Sequence, residues 1–186
     1  VQPKHVALGC CVGRSPGAPH AAQLAPLSSA GADAIVEVPA MRWLAHETPR
    51  ATRHGGFLVG TQRFDAPAFS ISPAEAGAMD PQQRVLLEGW YVALHASRFD
   101  KETLNGSGTG VALGIYATEF AQLLAVSPLG RSVYASTNAL SIASGRVSFA
   151  LGLQGPCASF ETACSASLVA LHSAARALQH AECGTH

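Results

Sequence analysis

Cys164 is the residue whose surroundings could most readily do chemistry. It lies in Ala163-Cys164-Ser165-Ala166-Ser167, between a segment that reads as a strand, 157–162, and one that reads as a helix running to about His180. A thiol reacts as its thiolate. At a helix start the first N–H groups have no partner within the helix, and the macrodipole presents its positive end. Both effects favour a thiolate, and the same N–H groups could stabilise the oxyanion of a tetrahedral thioester intermediate. The small neighbours leave room for a substrate. The arrangement is the cysteine counterpart of the strand-to-helix elbow of serine hydrolases. Free cysteines are also commonly packed as small apolar residues, and position alone leaves both readings open.

A cysteine nucleophile usually works with a histidine. The nearest in sequence, His172, is eight residues on. Along a helix that is about 12 Å of rise and about 80° of rotation, so His172 cannot touch Cys164. His180 is farther still. His5, His20, His46, His54 and His95 lie in segments without catalytic context. A histidine partner for Cys164 is therefore expected outside these 186 residues. The other cysteines, Cys10, Cys11, Cys157 and Cys183, form neither a disulfide framework nor metal-ligand spacing. A reducing compartment fits this usage, and a cytoplasmic location is the default expectation.

Around this centre the chain reads as alternating strands and helices. His5 to Cys10 is a short buried strand, followed by a Gly/Pro-rich loop to Pro19 and a weak helix over 21–30. Residues 33–39 are extended, and 55–58 form a hairpin or strand within an irregular stretch over 40–68. Ser72-Pro73-Ala74-Glu75 is a capping box with Pro at the first helical position. Asp80-Pro81 repeats the device and opens a helix to about Ser97, with Val85, Leu86, Trp90, Ala93 and Leu94 at helical spacing. Asn105-Gly106 is a turn and 109–115 a buried strand. Helices follow over 118–126 and 138–151. On the final helix Leu168, Leu171, Ala175 and Leu178 form one apolar stripe. Arg84 is expected to bind local carbonyls or a carboxylate. Gly145-Arg146 reads as close helix packing plus an anchoring arginine, and Trp43, Trp90 and Phe160 as core. This order favours an α/β fold.

Composition narrows the function classes. Apolar residues make up 48% and charged residues 13%, against an average near 25% charged. Such a chain has a heavily buried core or surface covered by further protein. Twelve basic and twelve acidic residues cancel, and no basic stripe provides a footprint for nucleic acid. No apolar run approaches the ~20 residues that span a membrane, and the N-terminus lacks the layout of a signal peptide. The first residue is Val1 and not an initiator Met, so a natural start upstream is an expectation here.

The segment Glu161-Thr-Ala-Cys164-Ser-Ala-Ser167-Leu-Val-Ala170 resembles the active-site segment of β-ketoacyl synthases, usually Asp-Thr-Ala-Cys-Ser-Ser-Ser-Leu, and is most similar to ketosynthases of polyketide synthases. The likeness continues in order along nearly the whole chain. It includes the opening strand with Pro16-Gly17, then Glu37-Val-Pro39 with Arg42-Trp43, and Gly56-Phe57-Leu58 with Phe64-Asp65. It continues through Phe69 to Glu75, Ala78-Met-Asp-Pro-Gln-Gln-Arg84, Ser144-Gly145-Arg146-Val-Ser148 and Leu151 to Pro156. Glu161 stands for the usual Asp, Ala166 for a common Ser, and Cys157 where Ser is frequent.

This resemblance implies a thiolase-like fold of two similar α/β halves, of which residues 1–186 are the first, N-terminal half with ketosynthase insertions: a mixed sheet with buried helices, the C-terminal half absent. It implies a homodimer in which Cys164 accepts an acyl group from the phosphopantetheine arm of an acyl carrier protein. Two downstream histidines would then promote decarboxylative Claisen condensation with a malonyl-type extender, in polyketide or fatty acid elongation. It implies no directly bound cofactor or metal, possible contacts with other polyketide synthase domains, and inactivity of this chain alone. The rival readings are a truncated or degenerate, non-catalytic ketosynthase fragment, and a thiolase- or chalcone-synthase-like enzyme, against which the motif at Asp80 to Arg84 argues. A cysteine hydrolase is disfavoured by the lack of a histidine within reach.

Overall fold

The computed structural model describes residues 15–18, 21–42, 53–116 and 119–183. The strand expected over 5–10, Cys10, Cys11, Trp43, His5, His20 and His46 lie outside them. The described residues form two compact units, one within 15–63 and one over 64–183.

In the first unit Ser15 and Ala18 exchange two backbone hydrogen bonds of 2.9 Å around Pro16-Gly17, and Gly17 adopts φ +72°, which glycine accepts without steric penalty. A 3₁₀ turn at Ala21–Gln23 runs into α1 (Leu24–Ser29), which lacks a side-chain N-cap. β1 (Val36–Glu37) pairs antiparallel with β2 (His54–Gly55). The sequence places the second strand at 55–58, but it ends at Gly55. At Gly56 a Cβ would fall 2.7 Å from the Pro16 ring, so this backbone is packed against a loop and not laddered.

The second unit is built on two well-capped helices. Ser72 Oγ accepts from the Glu75 N–H at 3.2 Å and opens α2 (Pro73–Ala78). Asp80 accepts from the Gln82 N–H at 2.7 Å and opens α3 (Pro81–Ala96), whose C-cap is Ser97, close to the end its sequence predicts. The expected capping box at Ser72 is only half formed, because the Glu75 carboxylate turns away to pair with Arg146. A complete box forms instead at α4 (Lys101–Leu104), between Asp100 and Thr103.

β3 (Val111–Gly114) and β4 (Cys157–Phe160) pair in parallel, in the register Val111↔Cys157 to Gly114↔Phe160. Parallel neighbours need a long crossover. Here it contains α5 (Glu119–Ala125), 3₁₀ turns at Pro128–Arg131 and Val133–Asn138, and α6 (Leu140–Leu151). The helix expected from residue 138 starts at Leu140, because Asn138 ends a 3₁₀ segment that Ser132 opens by accepting from the Tyr134 N–H.

Side chains alternate across this small sheet. Val111 joins a core with Met79, Leu87, Leu104, Val147, Leu151 and Leu153, and Leu113 joins Ile115 and Ala143. The opposite face takes α7 (Ala166–Gln179). The unit is thus a layer of α3 and α6, a layer of sheet, and a layer of α7.

A buried polar cluster ties the first layer together. Asn138 accepts from the Asp80 N–H at 2.8 Å and donates to the Ala78 carbonyl at 2.8 Å, across some sixty residues of chain. Arg146 donates through Nε to Gln83 at 2.7 Å and through Nη2 to Thr137 Oγ1 at 2.9 Å, and it pairs with Glu75. This is the anchoring role expected of Arg146. The expected packing role of Gly145 is not found: a Cβ there would meet nothing within 4 Å. Arg84 lies within the field of the Asp80 carboxylate, while its Nε is buried without a hydrogen-bond partner. Burial lowers the pKa of its guanidinium, opposed by the nearby Asp80 carboxylate.

Truncating Asn138 would leave the Asp80 N–H and the Ala78 carbonyl buried and unpaired. Asn138→Ala should therefore lower the free energy of unfolding by about 2–3 kcal/mol, read from the urea midpoint. A change under about 0.5 kcal/mol would show that the cluster is not holding α2, α3 and the 3₁₀ segment together.

Candidate functional site

β4 ends at Phe160, and within five residues the chain has reversed into α7. The reversal is a 3₁₀ turn at Ala163–Ser165, with Cys164 at its centre. Ala163 adopts φ +49°, a left-handed conformation that costs a residue bearing a Cβ roughly 1–2 kcal/mol. Three hydrogen bonds hold it. The Ser165 N–H donates to the Thr162 carbonyl at 3.1 Å, the Ser165 hydroxyl reaches the same carbonyl at 2.8 Å, and the Ala166 N–H donates to the Ala163 carbonyl. The Ser165 and Thr162 hydroxyl oxygens are also 3.0 Å apart. Cys164 is exposed, at the mouth of α7 and not within the helix or core.

The free helix-start N–H groups expected from sequence need one correction. Those of Ser165 and Ala166 are used inside the turn, so neither can serve an oxyanion without breaking it.

α7 approaches the sheet more closely than a side chain would permit. A Cβ on Gly114 would stand 2.5 Å from the Ala166 carbonyl carbon and 2.5 Å from the Ser167 nitrogen. The helix turns its smallest residues to this contact: Ala166 and Ala170 are buried. The leucine stripe read from the sequence is therefore not the face that packs on the sheet. Leu168 is 69% and Leu171 55% exposed, while Ala175 and Leu178 are half-buried. Steric access decides this: only alanines fit against a glycine at that distance.

β4 is anchored on its other face by Ser159, whose hydroxyl meets that of the buried Ser144 on α6 at 2.8 Å. Sequence reasoning misses Gly114, Ser144, Ser159 and Ser165 as parts of the site's frame. Of these only Ser165 carries a local signal, since serine side chains readily bond nearby backbone carbonyls.

The other candidate residues lie apart from Cys164 in role or in place. His172 and His180 are exposed on α7 or at its end, and His180 Nε2 lies 2.9 Å from Arg176 Nη2. His95 stacks on Tyr91, and His54 belongs to β2 in the other unit. Cys157 is exposed and Cys183 half-buried. Trp90 packs against the core and Phe160 is half-buried. Among the described residues no group of three or more His, Cys, Asp or Glu could hold a metal ion, and no helix is long and apolar enough to cross a membrane. A groove of about 560 Å³ lies between Phe69, Lys101, Asn105, Arg146 and Phe149; Cys164 does not line it.

Both the sequence and the fold match known proteins. The profile of the family described as Beta-ketoacyl synthase, N-terminal domain, matches residues 4–185. A phenolphthiocerol/phthiocerol polyketide synthase of Mycobacterium tuberculosis is 45% identical over 160 residues, covering 81% of this chain and 10% of that protein. A spectinabilin polyketide synthase system protein of Streptomyces orinoci is 42% identical across 96% of this chain and 8% of its own length. Among solved structures, the ketosynthase from module 6 of the bacillaene synthase of Bacillus subtilis superimposes with a TM-score of 0.77 at 33% identity, covering 91% of this chain and 28% of that one. An oxazolomycin ketosynthase domain of Streptomyces albus gives 0.78 at 31%, over 91% and 32%.

The fold is thus that of ketosynthase domains, as the resemblance implied. The chain belongs to the β-ketoacyl synthase family and corresponds to the N-terminal part of a polyketide synthase ketosynthase domain. It spans a tenth or less of the curated relatives quoted above, and about three tenths of the solved ketosynthase chains.

Gly114→Ala tests the seating of α7. The added methyl would meet backbone, which cannot swing aside, so the helix mouth must move. We expect a loss of about 3 kcal/mol in unfolding free energy. Gly145→Ala, whose new methyl meets open space and which removes a helical glycine, should be neutral or stabilising by up to about 1 kcal/mol. Equal effects from the two in thermal or urea unfolding would refute the close-approach argument.

Proposed function

We propose that Cys164 is the acyl-accepting nucleophile of a polyketide ketosynthase. The observation that carries this reading is the exposure of a cysteine at a tight strand-to-helix turn, in a chain whose family is the β-ketoacyl synthases. One solved relative, the bacillaene synthase ketosynthase, is also known as a cysteine-to-serine mutant, which fits a cysteine of interest in that protein.

In this reading the Cys164 thiolate attacks the carbonyl carbon of an acyl thioester carried on the phosphopantetheine arm of an acyl carrier protein. The tetrahedral oxyanion collapses and expels the pantetheine thiolate, leaving the acyl group on Cys164. A malonyl-type thioester then loses carbon dioxide. The resulting carbanion attacks the acyl-cysteine carbonyl, forms the new carbon–carbon bond and releases the Cys164 thiolate with a β-ketoacyl thioester. This chain's part is to hold the sulfur: the turn presents it, small neighbours leave the approach open, and the α7–Gly114 contact fixes the helix mouth behind it. The groups that assist decarboxylation are placed outside these residues, since His172 and His180 have no route to Cys164 along α7. An acyl carrier protein, a second copy of the full protein and neighbouring synthase domains are the proposed partners. Polyketide elongation is preferred to fatty acid elongation because the relatives quoted above are polyketide synthases.

The rival reading, a chain that serves assembly without catalysis, gives a different experimental result. In the full-length protein, a chloroacetyl thioester or cerulenin should label Cys164, and Cys164→Ala should lower condensation by about three orders of magnitude or more. Condensation surviving Cys164→Ala would end the nucleophile assignment. The 186-residue chain alone is expected to form no β-ketoacyl product; a product peak from it in mass spectrometry would contradict the placement of the remaining machinery.

A further inference from the structure

Ser165 occupies the N-cap position of α7, where a serine normally turns its oxygen forward to accept from the second or third N–H of the helix. Here it makes no such bond. Its hydroxyl points backward instead, 2.8 Å from the Thr162 carbonyl and 3.0 Å from the Thr162 hydroxyl, so that the residues on either side of Ala163-Cys164 are tied to each other. The Thr162 carbonyl thereby accepts twice from one residue, from its N–H and its hydroxyl. Between these ties lies Ala163 at φ +49°, which without a restraint would relax toward the ordinary regions of backbone space. Relaxation there would rotate the next residue, Cys164, out of its place at the helix mouth.

We propose that Ser165 is a positioning residue for Cys164: its hydroxyl, withdrawn from helix capping, clamps the left-handed turn that presents the sulfur. The clamp rests on the reading of Cys164 as the nucleophile. Its chemistry follows from its exposure. The hydroxyl pair and the carbonyl all lie at the surface, so the clamp contributes little to burying the core and acts on local geometry. A methyl group in its place would leave the backbone bond from the Ser165 N–H intact and remove only the side-chain tie. A threonine would keep the hydroxyl.

The test uses the full-length protein and iodoacetamide, with alkylation of each cysteine followed by peptide mass spectrometry. Cys157 is also exposed and serves as the reference within the same molecule. In the unaltered chain Cys164 should react faster than Cys157. In Ser165→Ala the Cys164 rate should fall about fivefold, the factor that one ordinary hydrogen bond is worth, with the Cys157 rate unchanged. Ser165→Thr should restore Cys164 to within about twofold of the unaltered rate, because the hydroxyl that makes the tie is kept. A purely structural role for Ser165 would raise both cysteine rates together through opening of the fold, and that result overturns the proposal, as does an unchanged or faster Cys164 in Ser165→Ala. If Cys164 in the unaltered chain reacts no faster than Cys157, the nucleophile reading itself fails, and the clamp with it. A fast Cys164 that is indifferent to Ser165 removes the clamp alone.

Discussion

The structure around Cys164 depends on the approach of α7 to β3. At Gly114 the helix backbone lies where a Cβ would be, and this sets the distance from sheet to helix, the choice of alanines for the contact face and the sharpness of the reversal between β4 and α7. A residue with any side chain at position 114 would force the helix outward and lengthen the connection. The left-handed Ala163 follows from the same constraint, because a chain leaving a strand and entering a helix pressed onto that strand has few residues in which to turn. The turn's local hydrogen bonds, all made by Thr162, Ser165 and their neighbours, offset that strain on site.

Behind the sheet the same position is secured by different means. α6 grips β4 through the Ser144–Ser159 bond and an apolar core, and it is itself fastened to α2 and α3 through Arg146, Gln83, Thr137 and Asn138. Buried polar groups of this kind stabilise only when nearly all are paired, and here the pairing spans segments some sixty residues apart. The motif around Asp80 is thus explained by capping and by this cluster, with no need of a catalytic role. The turn that carries Cys164 stays exposed beside this bonded layer.

α7 presents different residues on its two faces. Alanines meet the sheet, while Leu168 and Leu171 stand exposed in these residues.

Much of this is legible in the sequence, and the reasons are local. Ser72, Asp80 and their prolines mark helix starts by chemistry that operates over three residues, and α2 and α3 begin where those marks stand. The strands expected over 109–115 and 157–162 form at 111–114 and 157–160, and with the helices after them and the place of Cys164 at a strand-to-helix turn they follow from short-range pattern and from a run of motifs in family order. What the sequence does not determine lies in long-range contact. By spacing Glu75 is the second half of a capping box, but an arginine seventy-one residues away takes its carboxylate. By period the leucines of α7 form one apolar stripe, but at the sheet a glycine on another strand admits only alanine. Gly145 reads as a packing contact and faces open space, and Ser165, suited to helix capping by its type, bonds backward. Sequence by itself determined where the capped helices α2 and α3 begin, the order of strands and helices in the second unit, and which sulfur is the candidate. The tertiary structure decided which face of each element is buried and which partner each polar group takes, because those choices depend on distances between segments that no local pattern encodes.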